Sequence, residues 1–158
     1  MKLKLLLVFS VILLLVSCGS KSIQESLTGK WKVTEMVVDI PNAPKEVIEA
    51  ARTIALATTY DFKEDLSYAL DIEKTEVDLG RKEEGSITVS KGSRLVTLSI
   101  DKISFPTHNS VRVLEKNEQN AGAFKSYTLK VEKISSNQLT LLGKEAGGQY
   151  YYTLKRAE

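Results

Sequence analysis

From Thr58 to its C-terminus the chain alternates. Tyr60 and Phe62 share one parity, the polar turn Lys63-Glu64-Asp65 follows, and Leu66, Tyr68, Leu70 and Ile72 then share a parity with Ser67, Asp71 and Glu73 opposite. The unit recurs: Ile87 and Val89, the turn Lys91-Gly92-Ser93, then Val96, Leu98 and Ile100. Tyr127, Leu129 and Val131 lead through Ser135-Ser136-Asn137 to Leu139 and Leu141, and Gly147-Gly148 opens a run with Tyr150, Tyr152 and Leu154 on one side. Successive side chains of a strand point to opposite faces, so short alternating runs joined by polar turns predict antiparallel hairpins with one dry face and one wet face. Residues 74–83 are charged and read as a loop. Residues 102–121 contain Phe105-Pro106 and a strand at 111–116, with a polar loop running from Asn117 to Gly122. The sum is eight to nine strands, a number suited to an all-β, antiparallel up-and-down barrel whose interior holds side chains or one small ligand. Closure also removes the exposed edges that a long meander leaves. An open sandwich is the rival arrangement.

Upstream of the alternation, residues 29–40 read as one long strand in which the apolar parity switches: Trp31 and Val33 on one side, then Met36, Val38 and Ile40 on the other. A switch of this kind predicts a bulge or sharp bend. Glu35 sits at the switch and reads as a solvated rim carboxylate, with a buried functional carboxylate as the alternative. After Pro41-Asn42-Ala43-Pro44, the residues Val47, Ile48, Ala51, Ile54 and Ala55 fall on one helical face, with Lys45, Glu46, Glu49 and Arg52 opposite. The expectation is a single inserted helix over 44–57 that packs on, or plugs, one end of the sheet.

The inventory of reactive groups excludes several function classes. The 158 residues include one Cys and one His, so neither an intramolecular disulfide nor a multi-His metal site can form. No Gly-x-Ser-x-Gly, HExxH, CxxC or P-loop pattern occurs. Lys and Arg number 22 against 20 acidic residues and are scattered among them, which leaves no positive stripe for nucleic acid. Glu64-Asp65 and Glu83-Glu84 read as solvated charge in polar turns. His108 lies in a loop after a proline. No catalytic constellation and no cofactor are expected.

The N-terminus reads as an address. Lys2 and Lys4 precede an apolar run from Leu5 to Val16 that is broken only by Ser10. Twelve helical residues span roughly 18 Å, short of a hydrocarbon core of about 30 Å, and match a secretory signal better than a membrane span. Leu15-Val16-Ser17-Cys18 resembles the bacterial lipobox. That resemblance implies cleavage before Cys18, a diacylglyceryl thioether on its sulfur and an acyl group, such as palmitate, on its amine. Two or three chains anchor durably where one does so only marginally. The expected organisation is a lipoprotein signal peptide over 1–17, the lipidated Cys and a tether over 18–26, and a β-barrel domain over 27–158. Both surplus lysines leave with the signal, so the mature side chains balance at 20 against 20. Gly19 follows the Cys without an acidic cluster, which leans towards an outer-membrane lipoprotein facing the periplasm.

Leu27-Thr28-Gly29-Lys30-Trp31-Lys32-Val33 resembles the opening of the lipocalin superfamily, in which a Gly-x-Trp motif begins the first strand. Tyr150-Tyr151-Tyr152-Thr153-Leu154-Lys155-Arg156 resembles the last strand of such barrels. With the lipobox, the whole resembles the small lipocalin-like lipoproteins of Bacteroidetes-type bacteria. The resemblance implies a calycin-type barrel with Gly29 and Trp31 at its floor and Arg156, or Lys155, as a cation–π cover. No second or third lipocalin motif accompanies these residues. Tyr60, Tyr68, Tyr127, Tyr150 and Tyr152 then become candidates for an aromatic ligand pocket, the alternative being that they simply fill the core. The leading expectation is a non-enzymatic, membrane-anchored protein that binds a small hydrophobic or amphipathic molecule. The alternatives are a structural or protein-interaction lipoprotein and, on fold analogy alone, an enzyme or enzyme inhibitor.

Overall fold

The computed structural model describes residues 22–157 apart from 91 and 146. The signal segment 1–17, Cys18 and the first residues of the expected tether lie outside the described residues. The order is α1 (Ile23–Leu27), β1 (Gly29–Asp39), α2 (Lys45–Leu56), β2 (Thr58–Phe62), β3 (Ser67–Ile72), β4 (Arg81–Ser90), β5 (Leu95–Pro106), β6 (Val111–Glu115), a 3-10 turn (Ala121–Ala123), β7 (Ser126–Ile134), β8 (Gln138–Glu145) and β9 (Gly148–Arg156).

Each strand pairs antiparallel with its neighbours in the order β4-β3-β2-β1-β9-β8-β7-β5, and the β4–β5 pairing closes this ring of eight. A closed ring excludes the open sandwich. The ninth strand, β6, is an appendage: β5 is long enough that Leu95–Ser99 pairs with β7 while Lys102–Pro106 pairs with β6 on the same edge. The inward parity is the one that alternation predicts, with Phe62, Tyr68, Leu98, Val131, Leu141 and Leu154 all buried in one core.

Three bulges bend the barrel. The register of β1 against β9 slips between Val33 and Glu35, which leaves Thr34 as the extra residue, and its hydroxyl donates to the Thr153 carbonyl at 3.1 Å. The slip accounts for the parity switch from Val33 to Met36 and leaves Glu35 exposed on the rim. Similar slips occur between β7 and β8, and between β4 and β5. At the last of these the extra residue is Asp101, and β5 crosses so close that a Cβ on Gly85 would run into the Ser99 carbonyl.

Helix α2 lies where β1 outruns β2. Only Gly29–Lys32 of β1 pairs with β2, whereas its upper half pairs with β9 alone. The apolar face of α2 fills that flank: Ala55 is buried, and Ala51 and Ile54 pack on the core.

Two expectations are corrected here. The segment read as a tether through Ser26 is folded from Ser22 onward. Ser22 and Glu25 form a reciprocal capping box, with Ser22 N–H donating to Glu25 at 3.1 Å and Glu25 N–H donating to Ser22 Oγ at 3.2 Å, and Leu27 is buried beneath the barrel. The charged stretch read as a loop over 74–83 is already strand from Arg81, so Glu83-Glu84 lies in β4 and not in a turn. Its charges suit a strand because they divide by face. Lys82 and Glu84 point outward, where Glu84 bridges Lys82 at 3.0 Å and Lys102 at 3.3 Å, while Arg81 and Glu83 point inward and pair with each other.

Candidate functional site

The closed end of the barrel is built on Trp31, which is 0% exposed. Its indole N–H donates to the Leu27 carbonyl at 2.6 Å, so α1 and β1 lock together. The Arg156 guanidinium lies 4.1 Å from the centre of the Trp31 ring, a cation–π contact. The same guanidinium donates to the carbonyls of Thr28, of Ser26 at 3.2 Å and of Ser136 at 3.1 Å. Gly29 is required beneath it: its φ is +120°, and a Cβ there would collide with Arg156 Nη1. Lys155 points to the exposed side.

Above this floor the barrel is hollow, with a cavity of about 310 Å³. Val33, Met36, Leu70, Ile72, Leu98 and Leu129 form its apolar wall, and Ala51, Ile54 and Ala55 of α2 form its cover. Tyr60, Tyr127, Tyr150 and Tyr152 line it as well. Tyr151 points outward and is exposed, as strand parity requires. Tyr60 and Phe62, two apart on β2, stack with ring centres 5.6 Å apart. Tyr68 is not part of the lining. It is buried on the inward face of β3, and its hydroxyl has no hydrogen-bond partner among the described residues.

The polar part of the wall comes from β4. Glu83 is 2% exposed, and its Oε1 accepts from Arg81 Nε at 2.7 Å. Arg81 also faces Asp78 Oδ2 at 3.5 Å. Glu83 Oε2 is buried without a partner among the described residues. Burial works against the charge on Arg81, but the hydrogen bond and charge of Glu83 outweigh it and hold the guanidinium pKa above its ordinary value. Burial pushes the Tyr60 phenol well above the usual range, with Tyr152 and Glu83 adding to the shift, and Tyr68 follows for the same first reason, with Glu83 next. Both phenols are therefore neutral donors and acceptors at physiological pH.

Sequence reasoning missed Arg81 and read Glu83 as solvated charge, which its burial corrects, although a signal was there. Ile87 and Val89 share one parity, and counting back along it reaches Gly85, Glu83 and Arg81. The bulge at this point falls on β5, so the parity of β4 is unbroken. The other polar candidates lie away from the cavity. His108 is exposed in the β5–β6 connection and Glu64 in the β2–β3 turn. Asp65, in that same turn, accepts from the Ser67 hydroxyl and amide, which lower its pKa. No group of three or more metal-ligating side chains occurs among the described residues.

A solved structure of a lipocalin-like protein from Bacteroides uniformis matches 84% of this chain and 99% of its own, with 16% identity and a TM-score of 0.47. No family model and no curated protein matches the sequence.

Proposed function

We propose that the barrel binds one small apolar or amphipathic molecule and performs no chemistry on it. The cavity carries this reading: about 310 Å³, walled mainly by aliphatic and aromatic side chains, with one convergent polar corner at Arg81 and Glu83. Small-molecule sites commonly occupy roughly 300–1,000 Å³ with this division of apolar wall and few polar groups. Displacement of a neutral apolar fluorophore, N-phenyl-1-naphthylamine, tests it. The expected result is saturable fluorescence enhancement that Leu98→Trp, which fills the cavity, reduces at least about tenfold in affinity. Equal binding by the filled variant, or no saturable binding to the wild type, overturns the reading.

The proposal extends to location. Cys18 carries lipid in the cell envelope, at the outer membrane and on its periplasmic side. Ser22, where α1 is capped, leads directly to the closed end of the barrel. Four residues reach at most about 14 Å, so the anchor holds the closed end near the membrane and turns the cavity away from it. Cys18→Ala is expected to block lipid labelling and leave uncleaved precursor; normal processing of that variant overturns the anchor. A second reading, an envelope interaction module, draws on the exposed Leu79, Val111 and Val113. Crosslinking in the envelope that captures a specific partner through these side chains favours it over the first.

A further inference from the structure

The polar corner of the cavity is unbalanced in both charge and hydrogen bonding. Two carboxylates, Glu83 and Asp78, face the single guanidinium of Arg81, which leaves one negative charge in excess. Arg81 has already committed Nε to Glu83 and Nη1 to Asp78. Among the described residues nothing donates to Glu83 Oε2, although it is buried on a residue that lines the cavity. Tyr68 is its diagonal neighbour across β3–β4, since Tyr68 pairs with Gly85 and Leu70 with Glu83, and the Tyr68 hydroxyl is also buried without a partner among the described residues. A buried acceptor without a donor is costly to leave unmatched.

We propose that the molecule bound in the barrel carries a primary ammonium head that donates to Glu83 Oε2, with its apolar tail against Met36, Leu98 and Leu129. This inference rests on the binding reading above and adds the head-group chemistry. An ammonium has three donors and no acceptor, so it can serve Glu83 Oε2 while bringing the local charge to zero. A hydroxyl head donates once and leaves the charge uncompensated. A carboxylate head brings only acceptors and a second negative charge against Glu83.

A head-group series of constant chain length tests this on the purified wild-type protein at neutral pH. Decylammonium, decanol and decanoate each compete with N-phenyl-1-naphthylamine. Decylammonium is expected to displace the probe at least about tenfold more tightly than decanoate, with decanol between them. The variant Glu83→Gln removes the excess negative charge and keeps the side-chain shape, while Arg81 keeps its contact with Asp78. In it the ammonium and the carboxylate are expected to converge to within about threefold. Decanoate binding as tightly as decylammonium, or the ammonium preference surviving in Glu83→Gln, overturns the inference. Fluorophore binding with three equivalent competitors overturns it alone, whereas absence of fluorophore binding overturns the binding reading and this inference with it.

Discussion

At the floor of the barrel, Trp31 donates to Leu27 and Arg156 reaches three carbonyls while covering the indole ring. On the β3–β4 wall, Glu83 Oε2 and the Tyr68 hydroxyl are also deeply buried and have no partner among the described residues. Both regions hold an arginine beside buried groups, yet Arg156 completes its surroundings and Arg81 does not. Buried polar groups are ordinarily satisfied, and an unsatisfied one marks either strain or a place kept for something else. The unsatisfied carboxylate also lines the cavity, so the wall is where the proposed ligand would gain most, while the floor serves stability.

The contrast can be broken by substitution. Trp31→Ala should cost most, about 3–5 kcal/mol, because a fully buried aromatic and its hydrogen bond are lost together. Urea denaturation measures this, and a loss below about 1 kcal/mol would mean that the floor is not a keystone. Arg156→Ala should follow at about 2–3 kcal/mol, from the cation–π contact and the stranded carbonyls. Alkaline pH acts on the other side of the barrel. Tyr60 and Tyr68 have folded-state pKa values raised above the unfolded value, so their contribution is intact below about pH 10 and is lost as pH rises beyond it. Stability should therefore be level in this respect to about pH 10 and then fall by about 1.4 kcal/mol per pH unit for each of the two phenols. Phenolate absorbance followed alongside thermal unfolding should show the Tyr60 and Tyr68 phenols resisting ionisation until the chain unfolds.

Smaller effects sharpen the same comparison. Glu83→Gln should cost only about 1–2 kcal/mol, because Arg81, 29% exposed, can rehydrate in place of its lost partner. A loss larger than that of Arg156→Ala would reverse the roles assigned to floor and wall. Tyr68→Phe should be neutral, or stabilising by up to about 1 kcal/mol, since the hydroxyl it removes has no partner among the described residues. A clear destabilisation measured by calorimetry would show that the hydroxyl is satisfied after all.

Much of this was legible in the chain. Period-two alternation marked β2, β3, β5, β7, β8 and β9, and the parity switch after Val33 marked the Thr34 bulge. Gly29, Trp31 and Arg156 could be paired only through a resemblance, because nothing local links residues at opposite ends of the sequence. The tyrosines were visible as inward positions, but four line the cavity and Tyr68 lies outside its lining. Ser22 and Glu25 were legible as a capping box and were read instead as tether, since five helical residues leave little periodic signal.

Local pattern thus specifies which side of each strand is dry, because that depends on alternation within a few residues. It does not specify how much space eight dry faces enclose. That volume depends on bulges at Thr34, Asp101 and Glu132, on the gap where β1 outruns β2, and on α2 settling into it. The same holds for Glu83: the sequence shows a carboxylate among charges, and its burial follows from the position of β4 in the closed ring, opposite Leu70 and beside Arg81. Charge and hydropathy belong to residues, whereas enclosure belongs to strands brought together from distant parts of the chain.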